Sequence, residues 1–208
     1  MGRRRNDMSL ERRKPSRTPK IRILILCEGK QTEPEYLREV QRHFRNQRIH
    51  IDVRGPMGAP IDIIRRAIKQ RDHADAEARR SRDEYLRWDE VWAVFDVDAH
   101  SVDTIKSAQK LAQSSGILLA ISNPCFELWA LLHFVDQQAH IEVGKVQRAL
   151  KRHLPGYGKR LPFAKVHATY DDAVRCAQEL ETVAKRKNCE GGNPTTGVHK
   201  LTESIRTR

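Results

Sequence analysis

The sequence has few cysteines and no long apolar run. Its four cysteines, Cys27, Cys125, Cys176 and Cys189, form no CxxC pair and do not stand at zinc-ligand spacing from a histidine, which excludes a zinc module and a disulfide framework. No apolar stretch reaches the roughly 18 residues that cross a bilayer, and none has the form of a signal peptide. These absences predict a cytoplasmic protein with no membrane partner, in which Cys27 and Cys125 are reduced core thiols.

Positive charge, by contrast, is abundant. The 208 residues include 39 Lys and Arg against 27 Asp and Glu, a formal net charge of +12. Residues 1–20 hold eight of the basic residues against Asp7 and Glu11 and almost nothing apolar, which predicts a basic disordered tail. Such a tail either binds phosphates without sequence preference and in a salt-sensitive way, binds an acidic protein surface, or only aids solubility.

Short apolar runs alternate with helical patterns along the rest of the chain. Four of these runs are typical of strands, at residues 21–27, 49–53, 91–95 and 117–121. Helical spacing fills the intervals between them and dominates the last third of the chain. Strands that alternate with helices predict an α/β fold with a mainly parallel sheet flanked by helices. Residues 136–208 are expected to form a mostly helical C-terminal cap packed on a core of residues 21–135.

Acidic residues follow two of the predicted strands. Glu28 directly follows the first strand, and Asp96 and Asp98 follow the third. Carboxylates two residues apart on an extended chain point to the same side, where they repel unless a cation lies between them. Because open parallel sheets bind ligands outside the carboxyl ends of their strands, neighbouring strands would bring the three residues together as a site for Mg²⁺ or Mn²⁺. A lone DxD is also typical of a solvated turn.

Other residues near the predicted strand ends have two interpretations each. Glu127 opens an apolar helix and is either a fourth acidic group of the site or a carboxylate stabilised by the helix N-terminus. Asn123 is expected first to cap that helix and second to contact a phosphate or another ligand. Lys30 is either a phosphate contact or an exposed lysine. His100 is either a general base or, as the favoured interpretation, a surface loop histidine, and His133 is expected in the core.

A basic loop surrounds Tyr157 and Phe163. It is defined by Lys159, Arg160, Lys165 and His167. Basic residues interleaved with aromatic ones suit contact with nucleic acid and stacking on its bases. The alternative is a solvated loop with no ligand.

Several of these segments together resemble the RloB family of bacterial proteins. The segments are residues 27–36 (CEGKQTEPEY), 95–98 (FDVD), 122–129 (SNPCFELW), 132–134 (LHF), 193–194 (NP) and 198–201 (VHKL). The resemblance covers about residues 20–205 and implies a core similar to the Toprim fold, in which a strand-end glutamate and a DxD pair bind Mg²⁺. It assigns those roles to Glu28, Asp96 and Asp98. Toprim nucleases place a second acid sooner after the first than Glu33 stands here, so Glu127 ranks ahead of Glu33.

The resemblance also implies a function. RloB-like proteins are linked to restriction and phage-defence loci, often near an ATPase. The expectation is a Mg²⁺-dependent Toprim-like nuclease that cleaves DNA or RNA, tRNA included, with Glu28, Asp96, Asp98, Glu127 and Lys30 as catalytic residues. The alternative is a non-catalytic adaptor that binds nucleic acid or a nucleotide within a defence ATPase complex. An ATPase partner and a homodimer are further expectations.

Overall fold

A computed structural model describes residues 20–44, 49–158 and 160–207. All but the last residue of the predicted basic tail, and Lys159 of the basic loop, lie outside the described residues. The elements, in chain order, are β1 (Ile21–Cys27), α1 (Thr32–Phe44), β2 (Ile49–Arg54), α2 (Pro60–Ser81), β3 (Glu90–Asp96), α3 (Val102–Ser115), β4 (Leu118–Asn123), α4 (Glu127–Leu132), α5 (Val143–His153), α6 (Tyr170–Arg186), β5 (Thr195–Thr196) and α7 (Val198–Thr207). None of the helices that these residues form combines the length and apolar character of a membrane span.

The strands form one sheet in the order β2-β1-β3-β4-β5. The first four strands are parallel, and β5 pairs antiparallel with the end of β4. The chain passes from β1 outward to β2 and then returns to β3 on the other side of β1, so the topological switch point lies between β1 and β3. The predicted α/β fold with a mainly parallel sheet is confirmed. Sequence patterns did not reveal β5, because two residues show no periodicity.

Helices cover both faces of the sheet, as β1 illustrates. Ile23, Ile25 and Cys27 pack into a core cluster with α1 and α4–α7, whereas Leu24 and Leu26 pack into a second cluster with α2 and α3. Because both faces are buried, the strand is a continuous apolar run rather than an alternating one. Each fully buried side chain of this size contributes about 1.5–3 kcal/mol, and β1 lies inside the sheet between β2 and β3, beside the switch point.

Two local features differ from those expected. The apolar pattern of residues 126–134 predicts a helix that runs to Phe134, but α4 ends at Leu132, where the Phe134 amide donates three residues back to the Leu131 carbonyl at 2.9 Å. Asn123 does not cap this helix, whose N-cap is Phe126 without a side-chain bond. The Asn123 Nδ2 instead donates to the Gly191 carbonyl at 2.7 Å. The asparagine therefore ties the end of β4 to the loop that leads into β5.

Candidate active site

A pocket of about 430 Å³ opens at the carboxyl edge of the sheet. Glu28 follows β1, Asp96 and Asp98 lie at the end of β3, and Glu127 begins the helix after β4; all four line the pocket. Lys30 also lines it and is exposed at its rim. The fold thus brings together the five residues that the sequence singled out as catalytic candidates.

Pairing of β1 with β3 holds Glu28 beside Asp96. The register places Cys27 opposite Val94, and the Glu28 amide extends the ladder by donating to the Val94 carbonyl at 2.9 Å. Glu28 Oε2 then accepts from the Asp96 backbone N–H at 3.1 Å. The carboxylate of one strand end is therefore anchored to the backbone of the other.

His100 completes the contacts of the Glu28 carboxylate. Its Nε2 lies 2.6 Å from Glu28 Oε1, and its side chain is only 14% exposed. A tight turn, in which the His100 amide donates to the Val97 carbonyl at 3.1 Å, returns the ring to the site. The interpretation of His100 as a surface loop histidine is therefore wrong. The position of His100 four residues after Asp96 is the sequence feature that could have predicted its contact with the site.

The Asp96 carboxyl group faces other acids without a full set of hydrogen bonds. Its Oδ1 is buried and has no hydrogen-bond partner among the residues that the structure describes. Burial raises the pKa of Asp96 well above its usual range, and the charges of Glu33, Glu127 and Asp98 raise it further. Asp98 is exposed at the mouth, where partial burial and then the charges of Glu28 and Glu127 raise its pKa.

Glu33 also lies in the pocket, although its sequence spacing from Glu28 had placed it behind Glu127. Its side chain folds back over the bend at residues 28–31, and Oε1 accepts from the Gly29 N–H at 3.2 Å. A Cβ on Gly29 would overlap this carboxylate, so only glycine leaves the space that Glu33 occupies. Burial raises the pKa of Glu33, and the charges of Glu127 and Glu28 add to the shift.

The remaining wall comes from the C-terminal third of the chain. The Tyr157 hydroxyl donates to Glu127 Oε1 at 3.3 Å, and burial followed by the Glu127 charge raises the pKa of Tyr157. Val143 and Gln147 of α5 also line the pocket. No local sequence pattern indicated that α5 would reach this edge of the sheet.

The basic loop borders the pocket through Tyr157, but its charges are not all free. The Arg160 guanidinium lies 3.7 Å from Glu35 and 3.5 Å from Glu39. Lys165 and His167 are exposed, and His167 Nδ1 bonds the Ala164 carbonyl at 2.9 Å. Two carboxylates therefore compensate the one arginine of the loop.

The donor set fits a hard divalent cation by its chemistry. In residues 20–44, 49–158 and 160–207, no group of three or more His, Cys, Asp or Glu is already arranged around one metal position. The carboxylates nevertheless line one pocket, and Asp96 Oδ1 lacks a partner among the described residues. Oxygen ligands of this kind suit Mg²⁺, and a cation would offset the like-charge repulsion that raises the pKa values of Glu33, Asp96 and Asp98.

Comparison with known proteins identifies the family. A family model described as RloB-like protein matches residues 23–205. This span includes all the residues that line the pocket. No curated protein and no solved structure matches the chain. The match covers most of the sequence, and the chain therefore belongs to the RloB-like protein family.

Proposed function

We propose that this RloB-like protein is a Mg²⁺- or Mn²⁺-dependent nuclease with a Toprim-like active site, acting on DNA or RNA in bacterial anti-phage defence. The observation that supports the proposal is the convergence of Glu28, Asp96 and Asp98 with two further glutamates in one pocket of a protein with a net charge of +12. A module that only binds a polyanion is weakened by carboxylates at its binding site, because they repel phosphate. A cation-dependent phosphodiesterase needs them as ligands.

Glu28, Asp96 and Asp98 would hold the cation. When bound, the cation supplies Lewis-acid stabilisation of phosphate charge and lowers the pKa of a bound water. The protein orients the ligands in advance: the Asp96 amide and His100 fix the Glu28 carboxylate. Asp98 stands at the open mouth, where a substrate enters.

The other candidates act on the substrate side of the pocket. Lys30 is exposed at the rim, where an ammonium group offsets the charge of an entering phosphate. Glu127 is buried, and its hydrogen bond from Tyr157 fixes the direction in which the carboxylate points. Glu127 therefore faces the pocket with one oxygen already engaged, as a group that orients the other ligands or a water.

The Asp96→Asn variant tests the proposal. We expect the wild type to bind Mn²⁺ in calorimetry and to cleave a mixture of labelled DNA, RNA and tRNA only when a divalent cation is present. The variant should lose metal binding and at least about 100-fold in cleavage rate, because it removes a charged ligand of the cation that would stabilise the phosphate charge. Asp103→Asn changes an exposed aspartate of α3 outside the pocket and should leave both properties intact.

Three results would decide against the nuclease. Cleavage that persists in Asp96→Asn contradicts the assigned site. Absence of metal binding by the wild type contradicts it as well, and this measurement does not require an activating ATPase. Binding of nucleic acid or nucleotide without any dependence on a cation supports the adaptor alternative instead.

A further inference from the structure

Helix α5 (Val143–His153) exposes basic side chains that are not neutralised locally. Arg148, Lys151 and Arg152 are exposed. Of the neighbouring basic residues, Lys145 pairs with Glu142 at 3.7 Å, whereas these three form no ion pair with any carboxylate in the part of the chain that the structure describes. We call Arg148, Lys151 and Arg152 the α5 basic face.

This face begins at the rim of the acidic pocket. Val143 and Gln147 line the pocket, and Lys151 stands four residues after Gln147, so the three continue one row along the helix. Arg148 folds back along the first turn, since a Cβ on Gly144 would lie 3.6 Å from its Nη1. The basic face therefore continues the pocket-lining row through Lys151 and includes the neighbouring row of Arg148 and Arg152.

Packing fixes the direction of this face. Val146 and Leu150 are fully buried in the core cluster, which holds α5 in one rotation about its axis, with Val143 and Gln147 at the pocket and the basic face next to them. The basic loop differs, because Glu35 and Glu39 lie beside Arg160. Beside the pocket, the α5 basic face offers uncompensated positive charge.

We propose that the α5 basic face binds the sugar-phosphate backbone of the nucleic-acid strand that enters the acidic pocket. The inference rests on the proposed nuclease function. A pocket of carboxylates repels a polyanion, so a strand needs cationic contacts next to it, and three free Lys and Arg side chains supply them. Contacts of this kind position the strand without reading its sequence.

The test measures binding of a fluorescein-labelled single strand of about 20 nucleotides by fluorescence anisotropy. The full chain carries Asp96→Asn so that the strand stays intact, and a second set of changes replaces Arg148, Lys151 and Arg152 with Gln. The matched control replaces Lys69, Arg79 and Lys110 of α2 and α3 with Gln. These residues are also exposed, lack ion pairs within the described segments, and belong to the helices on the other sheet face.

We expect the α5 variant to bind the strand about 10- to 100-fold more weakly near 100 mM salt. The negative slope of log affinity against log salt should become shallower by about 2. The control carries the same net charge and should lose less than about threefold. If the triple variant has a changed thermal unfolding curve, the single variant Lys151→Gln replaces it in the test. This variant is expected to bind the strand about threefold more weakly.

The possible outcomes distinguish failure of the strand-binding proposal from failure of the proposed nuclease function. Unchanged binding by the α5 variant, or equal losses in the α5 variant and the control, overturns the proposal. Binding of poly-glutamate but not of the strand would make the face a docking site for an acidic protein and would also overturn it. If the strand binds through α5 while the wild type binds no Mn²⁺, the strand-binding surface stands and the nuclease assignment fails.

Discussion

Asp96 occupies an environment that costs stability in the absence of a cation. Its Oδ1 has no hydrogen-bond partner among the described residues, and burial and the charge of Glu33 raise its pKa well above the usual range. A carboxyl group whose pKa is raised on folding binds protons more readily in the folded state. Folded-state stability therefore falls as pH rises from the unfolded pKa through the folded pKa.

Removal of this charge should stabilise the protein. We expect Asp96→Asn to raise the melting temperature at neutral pH in EDTA by about 2–4 °C, which corresponds to about 1 kcal/mol for a chain of this size. If the proposed site binds Mg²⁺, excess Mg²⁺ should raise the melting temperature of the wild type and narrow the difference between the two proteins, because ligand binding stabilises only the protein that retains the site. Differential scanning fluorimetry measures both effects. A lower melting temperature for Asp96→Asn than for Asp103→Asn in EDTA would contradict the prediction.

At the scale of elements, local sequence patterns predicted the strands and helices but did not predict the contacts between loops. Glu28 and Asp96 could be predicted because each follows an apolar run that ends at a strand terminus. The sequence ranks Glu33 behind Glu127, because the place of Glu33 in the pocket depends on the bend at residues 28–31 and on the missing Cβ of Gly29, which no local pattern shows. Gln147 was not predicted as a pocket residue, because no local sequence pattern indicates which helix packs beside the carboxyl edge of the sheet.

The loops after β1 and β2 interlock, and Gly55 tests this contact. A Cβ on Gly55 would lie 2.5 Å from the Gly29 carbonyl oxygen and 3.2 Å from Pro34 Cγ. Relief of the first contact requires a backbone shift, which costs more free energy than a change of side-chain rotamer. Gly55→Ala should therefore lower the free energy of unfolding by about 1–3 kcal/mol and weaken Mn²⁺ binding by displacing the bend that carries Glu28. Urea unfolding and calorimetry measure the two effects.

Gly144→Ala on α5 is the matched control for that change. An added Cβ there meets only the flexible end of Arg148 at 3.6 Å, and alanine favours helix by about 1 kcal/mol over glycine. Unfolding free energy should stay level or rise. If Gly55→Ala behaves like Gly144→Ala, the two loops do not constrain each other.

At the scale of the whole molecule, a buried histidine marks where the C-terminal third packs on the α/β layers. His133 follows α4, and its Nδ1 bonds the Val166 carbonyl at 3.0 Å, while its Nε2 has no partner in the described part of the chain. The Trp129 and Tyr170 rings surround it. Burial lowers the pKa of His133 to about 4, against the opposing effect of the Val166 carbonyl.

The packing of the C-terminal third around His133 should contribute less to the free energy of unfolding in mild acid. The unfolded chain binds a proton at His133 near the ordinary pKa of about 6.5, and the folded chain does so only near pH 4, so stability contributed at neutral pH is lost as pH falls through that window. His133→Gln keeps a donor for Val166 and should flatten the slope of unfolding free energy by up to about 1.4 kcal/mol per pH unit. Urea unfolding at a series of pH values measures it.

The exposed His167 supplies the control for the acid experiment. Its ring is exposed and its Nδ1 bonds the Ala164 carbonyl, so His167→Gln removes no buried imidazole and should leave the slope between pH 4 and 6.5 close to that of the wild type. If the curves of His133→Gln and the wild type run parallel across this range, the junction histidine does not control the acid response.

The pocket takes its lining from residues 28 to 147, and this has a consequence for biosynthesis. At a synthesis rate of about 5–20 residues per second, the last of these residues leaves the ribosome on the order of ten seconds after the first. β1 has neither β3 nor β4 beside it until residues 90–123 have followed it out of the ribosome, and the pocket lining is complete only with Gln147. The nascent polypeptide thus lacks an assembled site, and whatever chemistry the pocket performs is withheld from the ribosome-bound chain.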